Sequence, residues 1–265
     1  MLLRRSILSL AAAAGLMLSA LAVHAQVPDG KKIRIGVEGA YPPFSEIGTD
    51  GKLKGFDIDI AMALCAEIKA ECTLVQQDWD GMIPALQARK FDAIIASMAI
   101  TDERRKVVNF TEKYQSTPAR LAGKAGARLE ATPAGLKGRR LGVQRSTSHD
   151  RYLSEFYKDS EIVRYAKSDD MFLDLAAGRI DAAMADSVAM DIGFLKKPQG
   201  KGFAFFGPDF HDPRYFGYGA GIALRKADTD LQARFNAAIR AIRANGVYKK
   251  VQDKYFDFDV YGAAN

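Results

Sequence analysis

Arg104 stands in the run TDERR, and a guanidinium is a permanent cation that grips a carboxylate through two parallel hydrogen bonds. Asp186, in DAAMADS, offers an anion for an ammonium group. Glu38 offers a second anion directly after the apolar run at residues 33–37, where a carboxylate needs a partner or water. Tyr41 and Trp79 are flat faces that can sandwich a planar cation or a methylene stem. In LGVQRSTSHD, the backbone N–H groups of Thr147 and Ser148 open a helix and supply a second grip on an anion. One carboxylate, one ammonium and one further cation describe a cationic amino acid. Each residue also has an ordinary use. Arg104 sits among Glu103, Arg105 and Lys106, which reads equally as a solvated face. Asp186 and Thr147 read as helix caps, and Tyr41 and Trp79 as core.

The elements that must position these residues follow a repeated rhythm. Strands are expected over 33–37, 73–75 and 91–96, with helices over 56–69 and 80–89 between them. Asp80 is the expected cap of the second helix, and Pro84 lies close enough to its start to be tolerated. A second copy places strands over 140–143, 162–165 and 181–185 and helices over 147–157, 169–177 and 187–195. A strand over 217–224 and helices over 229–244 and 248–255 close the chain. Strands alternating with helices imply parallel sheets with right-handed crossovers, here in two α/β lobes. The expected division is 26–116 plus 217–265 for one lobe and 117–216 for the other. Residues 111–120, with Pro118, carry the first crossing, and a second lies near Phe216. Open parallel sheets bind ligands beyond the carboxyl ends of their strands. Glu38, Trp79, the run Ala96-Ser97-Met98-Ala99, Gln144 and Asp186 all fall at such ends.

The first 25 of the 265 residues carry Arg4 and Arg5, an apolar run and the small-residue site Val23-His24-Ala25, the pattern of an export signal. No cysteine stands directly after that site, so a lipid-anchored form is not suggested and a soluble exported protein is expected. The formal charge of +6 includes Arg4 and Arg5, and the remaining charges are interspersed. No basic stripe with interleaved aromatics speaks for nucleic acid. Cys65 and Cys72 read first as a disulfide stapling a helix to the next strand, in an oxidising compartment. A metal site lacks ligands, since His149 and His211 are remote in sequence from both cysteines.

The segments GVEGAYPPF, GFDIDIAMALC, DWDGMIPALQARKFDAIIASMAITDERR, LGVQRSTSHD and GRIDAAMADS, with the closing run YFGYGAGIAL to YFDFDVYG, resemble the periplasmic solute-binding proteins of amino-acid ABC importers. Within that family they are most similar to the lysine/arginine/ornithine- and histidine-binding branch. The resemblance implies a type II two-lobed flytrap, a periplasmic monomer without a cofactor, and an inner-membrane ABC permease as partner. It implies that Arg104, with backbone at Ala99 and the helix start at Thr147, grips the α-carboxylate. Ser97 lies near carboxylate and amine, and Asp186 and Ser148 meet the α-ammonium. Glu38 stands where the family has an aspartate for the distal cation. Tyr41 and Trp79 stack on the side chain, while Gln144 and His149 border its far end. Cys65 and Cys72 match the branch's disulfide. Ala96 and Ala99 replace family serines, Glu38 is longer than aspartate, and Trp79 is bulkier than phenylalanine or leucine. These departures leave opine-type conjugates of arginine open. A few members of the superfamily are cyclohexadienyl or arogenate dehydratases, so an acid in the cleft doing proton transfer is the enzymatic alternative.

Overall fold

A computed structural model describes residues 32–262. The export segment expected over 1–25 lies outside the described residues. Strand β1 (Lys32–Val37) buries Ile33, Ile35 and Val37. The chain then turns at Glu38 and Gly39 into a small antiparallel sheet of β2 (Ala40–Tyr41), β3 (Ser45–Ile47) and β4 (Leu53–Lys54). These strands are too short to leave an alternating pattern in the sequence. Gly55 precedes helix α1 (Phe56–Glu67), and its φ of 126° with a would-be Cβ at 2.4 Å from the Phe44 carbonyl admits only glycine. Helix α1 buries Phe56, Ile60, Leu64 and Cys65, and the expected bond from Cys65 to Cys72 ties it to β5 (Glu71–Gln76).

Asp80 does not cap a helix. A 3-10 turn over Trp79–Gly81 precedes α2 (Met82–Gln87), whose cap is Gly81. The Asp80 carboxylate instead meets Arg145 Nε at 2.6 Å, a charged partner that outbids a neutral backbone N–H. The expected strand 91–96 shrinks to β6 (Ala93–Ile94), because Ser97 adopts a left-handed φ of 49° and the extended run cannot continue through it. Thr101 caps α3 (Asp102–Arg105). Residues 111–120 are not a plain crossing. They belong largely to β7 (Asn109–Gln115) and β8 (Ala119–Lys124), each with buried residues in succession rather than alternation. The chain continues through β9 (Arg140–Gln144), α4 (Ser148–Phe156), β10 (Glu161–Tyr165), α5 (Ser168–Ala176) and β11 (Ala182–Asp186). Helix α6 (Ser187–Met190) runs into a π-helical turn at Asp191–Leu195, short of one continuous helix over 187–195. Then come β12 (Phe203–Phe210), α7 (Pro213–Phe216), β13 (Ala220–Leu224), α8 (Thr229–Ala244) and α9 (Val247–Gln252).

Two five-stranded sheets result, ordered β5-β1-β6-β13-β7 and β10-β9-β11-β8-β12. They are mostly parallel, with one reversed strand apiece: β13 is antiparallel to β6 and β7, and β8 to β11 and β12. Strands β8 and β13 are the two that the chain enters from the other sheet, so no crossover within one sheet sets their direction. The two connecting segments lie side by side, since Gln115 pairs with Ala220 and Ala119 with Phe210.

Candidate functional site

One cavity lies where the carboxyl ends of both sheets meet. Glu38, Trp79 and the Ala96–Ala99 run line it from behind β1, β5 and β6. Gln144, Thr147, Ser148 and His149 line it from the end of β9, and Asp186 from the end of β11. Tyr41 completes this set. Met98 is the exception. It is 1% exposed and packs in a core cluster with Phe91 and Phe110, while its carbonyl accepts from Gly221 N at 3.1 Å. The left-handed turn at Ser97, φ 49°, ends the extended run here, and Met98 packs into the core while Ala96, Ser97 and Ala99 line the cavity.

Arg104 is the cavity's cation. Its Nη1 donates to the Ala99 carbonyl at 3.1 Å, and its guanidinium lies 5.3 Å from the Trp79 ring centre. It has no carboxylate partner among the described residues, and desolvation pulls its pKa down to about 10. A shielded, unpaired guanidinium is costly to hold and is relieved by an anion. Arg104 therefore belongs to the cleft rather than to a solvated face.

Asp186 is the opposite case. It accepts from Val188 N at 2.9 Å, from Ala189 N at 3.2 Å and from the Thr117 hydroxyl. It meets no cation among the described residues, and burial raises its pKa to about 6. It caps α6 and lines the cavity at once. Thr147 likewise caps α4 by accepting from Asp150 N at 3.1 Å while lining the same space. Glu38 is only 4% exposed. Burial raises its pKa to about 7, opposed by a hydrogen bond from Gln144 Nε2 at 2.5 Å. His149 is held neutral, pulled down to about 4 by burial and by the Arg104 charge. The cavity thus holds one guanidinium and two carboxyls, with no ion pair among them.

Asp57 lies beneath this lining and was not legible as a site residue, because it sits on the apolar face of α1. Its carboxylate accepts from Ser97 Oγ and from Tyr114 OH, both at 2.9 Å, and burial raises its pKa to about 7. Gln115, Thr117, Ala119, Phe216, Gly219 and Ala220 also line the cavity. They lie on the two crossings, and the only sequence signal for them is that any cleft between lobes must be walled by the segments that join the lobes.

Residues 33–258 match the sequence model of the bacterial extracellular solute-binding proteins, family 3. The chain belongs to that family. This solute-binding protein is 53% identical over 256 residues to the L-arginine-binding protein of Pseudomonas aeruginosa, covering 96% of the chain and 98% of that relative. It is 42% identical over 262 residues to the lysine/arginine/ornithine-binding periplasmic protein of Escherichia coli, covering 98% and 100%. Among solved structures it is similar to a periplasmic binding protein of high arginine specificity from Salmonella typhimurium. That match has a TM-score of 0.79 at 34% identity, over 85% of this chain and 99% of that one. The two mostly parallel sheets joined by two crossings are the type II architecture of these solute-binding proteins. The relatives' names refer to amino acids, and the cavity here brings polar side chains together, as small-molecule sites do.

Proposed function

We propose that this protein captures a cationic amino acid in the cleft, with arginine, lysine, ornithine and histidine as candidates, and delivers it to an inner-membrane ABC permease from the periplasm. Arg104 supplies the grip for the α-carboxylate, helped by the backbone at Ala99 and the start of α4 at Thr147. Asp186 and Ser148 take the α-ammonium, and Ser97 lies near both groups. Glu38 takes the distal cation, Tyr41 and Trp79 flank the stem, and Gln144 and His149 close the far end. The observation that carries the reading is the unpaired charge set of Arg104, Asp186 and Glu38 around one cavity. A cationic amino acid pairs every member of it. Arginine leads because the names of the relatives above include it.

Among the described residues the lobes would run over 32–116 plus 217–262 and over 117–216, with hinges at the paired crossings. Binding proteins of this kind close on their ligand, capture it, and need no bond chemistry. A thermal-shift panel of the twenty amino acids with ornithine, citrulline and octopine tests the reading. Stabilisation by cationic members supports it. A shift with glutamate or leucine and none with the cationic set ends it. The dehydratase alternative draws on carboxyls held near neutrality in the cleft, Glu38 and Asp186. Aromatic product from prephenate or arogenate would establish it, and no turnover would remove it.

A further inference from the structure

Gln144 makes more contacts than a wall residue needs. Its Nε2 donates to Glu38 Oε1 at 2.5 Å and to the Ala166 carbonyl at 3.2 Å. Its Oε1 accepts from Ser168 Oγ at 3.2 Å. Gln144 ends β9 in the second sheet, Glu38 follows β1 in the first, and Ser168 begins α5. All three side chains are buried, Ser168 at 1% exposure, and Ser168 does not line the cavity.

An amide has a donating and an accepting end, and only its partners decide which way it faces. The Ala166 carbonyl can only accept, so it holds Nε2 on the Glu38 side. The Ser168 hydroxyl completes the arrangement by donating to Oε1. Glu38 is therefore met by a donor, and a donor favours the ionised carboxylate over the protonated one. One Glu38 oxygen is occupied in this way, and the other is left for a ligand. If the amide turned, its oxygen would face the carboxylate, and an ionised Glu38 would be disfavoured. A ligand with a distal cation needs the ionised form; a neutral isostere does not.

Resting on the reading that the cleft takes a cationic amino acid, we infer that Ser168, acting through Gln144, is a positioning residue that sets the preference for a distal cation over its neutral isostere. The bond it orients also spans the two sheets, so distal charge and lobe closure reinforce each other.

Calorimetric titration with arginine and with citrulline, its neutral isostere, tests this. Ser168→Ala is expected to lower the arginine-to-citrulline affinity ratio about tenfold, through weaker arginine binding. Gln144→Met should lower it at least as far. A purely structural role would weaken both ligands together and leave the ratio intact. If Ser168→Ala does not fold, Ser168→Cys, a much weaker donor at the same position, decides in its place. An unchanged ratio in the folded variants overturns the inference while the reading of the cleft stands. A wild-type protein that binds no cationic amino acid overturns that reading, and this inference with it.

Discussion

Arg104, Asp186 and Glu38 line the cavity with no charged partner among the described residues. Arg104→Ala is expected to abolish the thermal shift for every α-amino acid, and Arg104→Lys to recover only part of it, because an ammonium lacks the two-pronged geometry. A full shift in Arg104→Ala would refute its role. Glu38→Gln should weaken cationic ligands far more than neutral ones, and equal losses would refute a counter-charge. The raised carboxyls also fix a pH dependence. Glu38 and Asp57 lie at about 7 and Asp186 at about 6, against ordinary values of 4.5 and 3.8. An acid raised on folding favours the folded state while protonated, and its ionisation costs stability once pH passes the unfolded value. The ligand-free melting temperature should therefore receive a falling contribution from about pH 4 to about pH 7, which levels off above. For Glu38 alone that cost is on the order of 3 kcal/mol. The stabilisation by arginine should grow over the same window, since its cation favours the ionised acids. Melting curves across that range, with and without arginine, check it. A ligand shift that shrinks with rising pH would contradict it.

At the scale of elements, residues at strand ends on opposite sheets meet across the cleft. Trp79 Nε1 donates to the Ser146 carbonyl at 3.2 Å, beside the Asp80–Arg145 pair. Arg151 reaches Glu103 in the same fashion. Trp79→Phe keeps an aromatic face and loses the N–H, so ligand dissociation should quicken about fivefold in stopped-flow measurements. An unchanged rate would mean the bond does not hold the closed form. The disulfide acts locally. Replacing Cys65 and Cys72 with serine should cost about 2 kcal/mol by the loop-entropy relation. Ligand preference should not change, because neither residue lines the cavity. Helix α8 was legible because its apolar residues keep a helical period over Thr229–Ala244, and β9 and β11 as short apolar runs bounded by turns. Strands β7 and β8 were not, since buried residues in succession carry no alternation. The hairpin sheet was too short to register. The cleft charges were readable from strand ends, whereas Asp57 and Ser168 act behind the lining, where residue type alone says nothing of role.

At the scale of the whole molecule, two sheets are joined by paired crossings, and the proposed swing of the lobes would turn on these. Gly217 on the second crossing has φ 68°, and a Cβ there would lie 2.1 Å from the Ile100 carbonyl. Gly217→Ala should lower stability and impair closure, seen in small-angle scattering as a smaller ligand-induced decrease in radius of gyration. A wild-type decrease preserved in the variant would place the hinge elsewhere. The most direct test of the central claim is equilibrium dialysis of the ligand-free protein against an equimolar mixture of the twenty amino acids with ornithine, followed by mass spectrometry of what it retains. Arginine, lysine, ornithine or histidine should be retained near one per protein, and Arg104→Ala should retain none. Retention of an acidic or neutral amino acid in their place would contradict the account.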